Sequence, residues 1–143
     1  MKVYLTNVRS TADYCDVVYH SMLTDEMDLE LERLQDRALS CIYGGNISGR
    51  RMRAKAQLET LRQRRIDHCD RFAQKCLKNP RFAKWFPTNT ARRSSRRPGT
   101  QYQETYARCD RLKNSPVFYL RRRLNGKPGK TYGLRYAEYR QKL

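Results

Sequence analysis

Residues 24–45 read TDEMDLELERLQDRALSCIYGG, and this stretch decides the fold class. Thr24 is a good N-cap, and Asp25, Glu26 and Asp28 follow in the first turn, where the positive end of the helix dipole favours carboxylates. Met27, Leu31, Leu34, Ala38 and Ile42 recur at steps of three, four and seven, which predicts one apolar side of a long helix. Gly44-Gly45 supplies the stop.

Upstream, Tyr4, Val8, Ala12, Cys15, Tyr19 and Met22 space a helical face over residues 3–23. Val17 and Val18 broaden that stripe and leave room for a strand across part of it. Downstream, Asn46 to Arg53 is a polar connector, and Met52 to Leu58 can form a short helix. Thr60 with Gln63 three residues on is the capping-box pattern, and it opens a third helix that Asn79-Pro80 ends. The apolar face of this helix reads Leu61, Ile66, Cys69, Phe72 or Ala73, then Cys76 or Leu77. Its other face carries Arg62, Arg64, Arg65, Arg71 and Lys75, a row of cations expected to face water.

Beyond Pro80 the periodicity fails. Phe82, Trp85 and Phe86 read as an aromatic plug for the end of the bundle, and a base-stacking platform is the rival reading. Thr, Asn, Ser, Arg, Pro and Gly then run to Thr100 as a loop. Only Val117–Asn125 and Leu134–Leu143 are plausible short helices in the remainder. The expectation is an all-α chain: a small helical bundle over 1–87, followed by a basic, largely irregular tail over 88–143.

Composition narrows the function. The net charge is +17, and it is unevenly placed: residues 1–45 carry −4 and residues 46–143 carry +21. Such a field attracts polyanions and releases their condensed counterions on binding. Arg outnumbers Lys in the basic part, and guanidinium forks pair with phosphate and stack on bases. Arg92, Arg93, Arg96, Arg97, Arg121, Arg122, Arg123, Lys127 and Lys130 are interleaved with Tyr102, Tyr106, Tyr119, Tyr132 and Tyr136. Cations for phosphate and aromatic rings for unstacked bases are the ingredients of single-strand recognition. With Arg62, Arg65 and Arg71 of the third helix, these cations are the candidate nucleic-acid-binding residues.

Other classes are less well served. No apolar run is long enough to span a membrane, and no signal peptide is visible, so an intracellular location, nuclear or cytoplasmic, is expected. The five cysteines form no CxxC pair and are expected as reduced thiols, three or four of them in the core. Cys69 and Cys76 with His20 or His68 make a poor metal set, because two helical turns separate the thiols. Asp13 and Asp16 could hold a divalent ion, but a solvated polar face is the simpler reading. No GxSxG, P-loop, HExxH or Asp-Asp pair occurs, so neither a catalytic centre nor a cofactor is expected.

Several spaced motifs resemble a known family. Leu31-Glu32-Arg33-Leu34-Gln35-Asp36-Arg37-Ala38-Leu39 with Ile42-Tyr43-Gly44 resembles a stretch near the C-terminus of non-LTR retrotransposon reverse transcriptases. Val8-Arg9-Ser10, Tyr14-Cys15 and Val18-Tyr19-His20-Ser21 are similar to the preceding thumb-side helix. Leu58-Glu59-Thr60-Leu61, Asp70-Arg71-Phe72-Ala73, Asn79-Pro80-Arg81-Phe82, Trp85-Phe86-Pro87 and Arg111-Leu112 with Asn114-Ser115-Pro116 extend the likeness over nearly the whole chain.

The resemblance implies a helical appendage of an RNA-directed DNA polymerase that grips template RNA or an RNA–DNA hybrid. The family's catalytic aspartates would lie upstream of Met1, so the chain is expected to start inside an ancestral reading frame and to incorporate no nucleotides alone. Severed from a palm domain, residues 3–23 would expose an apolar patch of more than roughly 400 Å² and self-associate. An independent basic module that binds RNA or protein, and an element remnant without function, fit the same residues.

Overall fold

The Thr24 hydroxyl accepts the Met27 amide at 3.3 Å, and the helix it caps runs over Asp25–Tyr43. Gly44, at φ +86°, ends it, and its amide donates to the Ser40 carbonyl. The computed structural model describes residues 1–45, 47–89, 101–104 and 106–126. Within them the chain is all-α, with a single isolated antiparallel bridge between Thr88 and Tyr102. The helices are α1 (Ser10–Asp13), α2 (Asp16–Tyr19), α3 (Asp25–Tyr43), α4 (Gly49–Lys55), α5 (Leu61–Lys78), α6 (Pro80–Ala83), α7 (Asp110–Lys113) and α8 (Pro116–Leu124).

Residues 3–23 do not form one helix. A π-helical turn over Tyr4–Arg9 leads into α1, and the path breaks at Tyr14-Cys15, where Cys15 takes φ +54°. A short 3-10 turn, His20–Met22, follows α2. The capping box of α5 forms by half. The Gln63 amide donates to the Thr60 hydroxyl, but the Gln63 side chain bonds forward to Asp67 rather than back to the cap.

The chain divides into two compact units. One unit comprises Met1–Asp16 and Leu23–Asp67, with Thr131–Leu143 lying outside the described residues; the other comprises Val17–Met22 and His68–Lys130.

In the first unit Tyr4, Leu39 and Met52 form the buried apolar centre, with Ala38, Tyr43, Ile47, Ala56 and Leu58 packed around it. This centre is small, and a polar network adjoins it. The α3 side chains buried in it are Asp28, Glu32, Gln35 and Leu39, whereas Met27, Leu34 and Ile42 are exposed. The orientation expected from the apolar stripe is therefore corrected: α3 turns Asp28 and Glu32 inward. Asp28 receives the guanidinium of Arg65, Glu32 accepts the Arg62 amide at 2.8 Å, and Gln35 donates to the Glu59 carbonyl at 3.0 Å. Asp36 receives Arg53 from α4. The same carboxylate lies against Gly49, where any side chain would collide with it.

The second unit is built around Cys69, Ala73, Cys76, Phe86, Tyr102, Tyr119 and Leu120. Tyr119 and Leu120 lie on α8, which matches the short helix expected over Val117–Asn125, and Tyr102 joins them in this core. Amides and carbonyls of 87–89 and 101–103 pair, through Asn89 to Gln101 and Gln103 to Pro87, and carry Tyr102 into the core. There its ring meets Phe86 edge-on at 6.3 Å. The Asn125 side chain fixes Tyr102 further by bonding both its amide and its carbonyl. Buried His20 Nε2 lies 3.0 Å from the Tyr119 hydroxyl. Of the cysteines only Cys69 and Cys76 are buried, fewer than expected; Cys15, Cys41 and Cys109 are exposed.

Candidate nucleic-acid interface

The third-helix cations separate into two groups. In the first turns of α5 they are consumed by the fold. Arg65 is 1% exposed against Asp28, itself fully buried. Arg62 Nε lies 3.8 Å from the other oxygen of Asp28. Arg64 Nε donates to both oxygens of Asp13, at 2.9 and 2.8 Å. Arg65 therefore does not face solvent, which corrects its expected place, and no phosphate reaches it without breaking a buried ion pair. Asp13 is engaged and Asp16 is buried, so the solvated acidic face expected there is corrected as well. Two further carboxylates, Asp28 and Glu32 of α3, are interior as well. Burial pushes the Glu32 carboxyl above its ordinary range, and the Arg62 amide and Arg53 offset this only in part.

Further along α5 the cations are exposed. Arg71, Lys75 and Lys78, at steps of four and three, share one side of the helix. At 1.5 Å rise per residue their stems are about 4.5–6 Å apart along the axis. Arg81 and Lys84 continue the exposed cations beyond the Asn79 cap of α6. Two aromatic side chains of the same unit are partly open, Phe72 and Trp85, and the Trp85 ring leans on Phe82 at 4.8 Å. Phe86, not Trp85, is the core plug. Around α7, Arg108, Arg111 and Lys113 are exposed, beside Tyr106.

The 121–123 cluster has a structural task. Arg121 Nε donates to the Trp85 carbonyl at 2.7 Å, and Arg122 donates to the Lys113 carbonyl at 2.9 Å. Arg123 forks onto both oxygens of Asp70, which raises its pKa despite partial burial. A carbonyl partner does not cancel the charge of Arg122, whereas Asp70 cancels that of Arg123. Of the interleaved tyrosines, Tyr102 and Tyr119 are buried and closed to bases, and Tyr106 is open. Arg92, Arg93, Arg96, Arg97, Lys127, Lys130, Tyr132 and Tyr136 lie outside the described residues.

Arg71 was among the candidates legible in the sequence, whereas Lys78, Arg81, Lys84, Arg108, Arg111 and Lys113 were not. The i, i+4, i+7 spacing of 71, 75 and 78 was the available signal. Pairing between elements engages Arg53, Arg64, Arg65 and Arg123, with Arg62 sharing Asp28 with Arg65, and among the described residues the exposed cations of 71–84 face no such partner in their own helices. No described helix is long and apolar enough to cross a membrane. No family model, curated protein or solved structure matches the chain.

Proposed function

We propose that this chain binds RNA or an RNA–DNA hybrid through the phosphate backbone, as the C-terminal, thumb-side segment of a non-LTR retrotransposon reverse transcriptase, and does no polymerase chemistry itself. The observation that carries the reading is the exposed row Arg71, Lys75 and Lys78, continued by Arg81 and Lys84. Cations on one helix face at phosphate-like intervals, with Phe72 and Trp85 available for stacking, suit a strand held by charge and ring contact rather than by base-edge reading. The resemblance in motif order supplies the polymerase part of the proposal; the charge placement supplies the binding part.

Fluorescence anisotropy with labelled RNA and hybrid across a salt series tests it. Affinity should fall steeply with salt and depend little on sequence. Replacing Arg71, Lys75 and Lys78 together by Ala should lower the slope of log K against log salt by about two, since each phosphate no longer neutralised removes roughly 0.7–0.9. An unchanged slope would remove this face from the interface, and weak, salt-insensitive binding by the parent chain would end the proposal.

A further inference from the structure

Helix α3 presents a seam that its own unit covers only in part: Leu31 is half-buried and Ala38 packs against the core, while Met27, Leu34 and Cys41 stand open. Met27, Leu31, Leu34, Ala38 and Cys41 alternate steps of four and three, the spacing by which one helix packs along another. Met27 is 55% exposed, Leu34 52% and Ile42 38%, and Cys41 is exposed as well. The helix cannot roll to hide them. Asp28 to Arg65, Glu32 to the Arg62 amide, Gln35 to the Glu59 carbonyl and Asp36 to Arg53 fix the adjoining side at four successive points. Turning the seam inward would strand buried carboxylates and guanidinium groups, which destabilises more than the added apolar burial stabilises.

The charges beside the seam identify what fits it. Exposed Glu26 and Glu30 lie in the N-terminal half, and exposed Arg33 and Arg37 in the C-terminal half. Glu30 and Arg33 already pair within the helix. A parallel neighbour of the same sequence would set acid against acid. An antiparallel one sets each acidic half against a basic half, with Leu34 near the two-fold axis and Glu30 of one copy beside Arg37 of the other. We infer that the exposed seam of α3 is a homodimer interface, closed by the same helix of a second copy packed antiparallel. Such an isologous contact needs only one self-complementary patch.

Sedimentation equilibrium of the full chain from micromolar to near-millimolar concentration should show a monomer–dimer equilibrium that persists at high salt, because the seam is apolar. Leu34→Glu places two carboxylates at the axis and should weaken the dimer by about tenfold or more. Leu34 is surface-exposed, so helicity by circular dichroism should stay at the parent level. In a chain with Cys15, Cys41 and Cys109 changed to Ser, Leu34→Cys should be captured as a disulfide-linked dimer under mild oxidation. A monomer at all concentrations, or a dimer indifferent to Leu34→Glu, would overturn the inference. So would a dimer lost in Val8→Asp with Val18→Asp but kept in Leu34→Glu, which would move the interface to residues 3–23.

Discussion

Replacing Arg65 by Met isolates the buried network of the first unit. Asp28 would remain fully buried, with Arg62 Nε, 3.8 Å from one oxygen, to balance its charge. Removing one partner of a buried pair costs about 3–5 kcal/mol, and the residual attraction to Arg62 favours the lower end, about 3 kcal/mol. With a urea m-value of about 2 kcal/mol/M, the midpoint should fall by about 1.5 M. Asp28→Leu alone should be similarly harmful, because it leaves the Arg65 guanidinium buried beside an apolar group. The double change Asp28→Leu with Arg65→Met removes both charges and should lie within about 1 kcal/mol of the parent. Urea titrations followed by far-UV circular dichroism, on the parent, both singles and the double, close the cycle. A single Arg65→Met variant as stable as the parent would refute the network, and so would a double variant as weak as the singles. RNA affinity of the double variant should match the parent, since Arg65 is buried; a clear loss would return Arg65 to the interface.

Glu32→Gln should stabilise the chain at neutral and mildly alkaline pH. The raised Glu32 pKa means that the folded state binds the proton more tightly than the unfolded chain. Ionised Glu32 thus costs stability above its folded pKa, and that cost fades as pH falls through it towards the ordinary carboxylate range. Melting temperatures of parent and variant should converge in acid, and an advantage that grows there would contradict the sign. Phe86→Ala should cost about 3–5 kcal/mol, because the ring is buried among Cys69, Ala73, Cys76 and Tyr102. Hydrogen exchange should rise in 68–89 and 116–124, and unchanged protection there would show that Phe86 is not the plug. Gly49→Ala should loosen the Asp36–Arg53 pair, since the added methyl group meets the carboxylate; an unaltered melting temperature would argue otherwise.

Element ends were legible because caps act locally. Thr24, Gly44 and Asn79 each satisfy amides or carbonyls within a few residues, so their effect shows in a short window. Orientation was harder. The apolar stripe of α3 suggested which side faces the core, but Asp28 and Glu32 meet Arg65 and the Arg62 amide 37 and 30 positions on, a match no single-helix pattern contains. Charge of opposite sign on α3 and α5 was the available clue. Tyr102 and Tyr119 were legible as aromatic residues among cations but not as core, because only the pairing of 87–89 with 101–103 and the α8 turn bring them, with Leu120, to Cys69 and Cys76. Of the candidate interface, the basic character was readable, but which arginines the fold uses internally was not.

The distribution of thiols gives the molecule a built-in clock. Cys15, Cys41 and Cys109 are open to a small disulfide reagent at once, whereas Cys69 and Cys76 must wait for the second unit to breathe. Burial also pushes the Cys76 thiol up, which slows its attack further. No cysteine in the first unit is buried among the described residues, so the slow labelling phase times the opening of the second unit alone. The same native chain, without an introduced label, can therefore report whether a bound nucleic acid closes that unit or leaves its motions untouched.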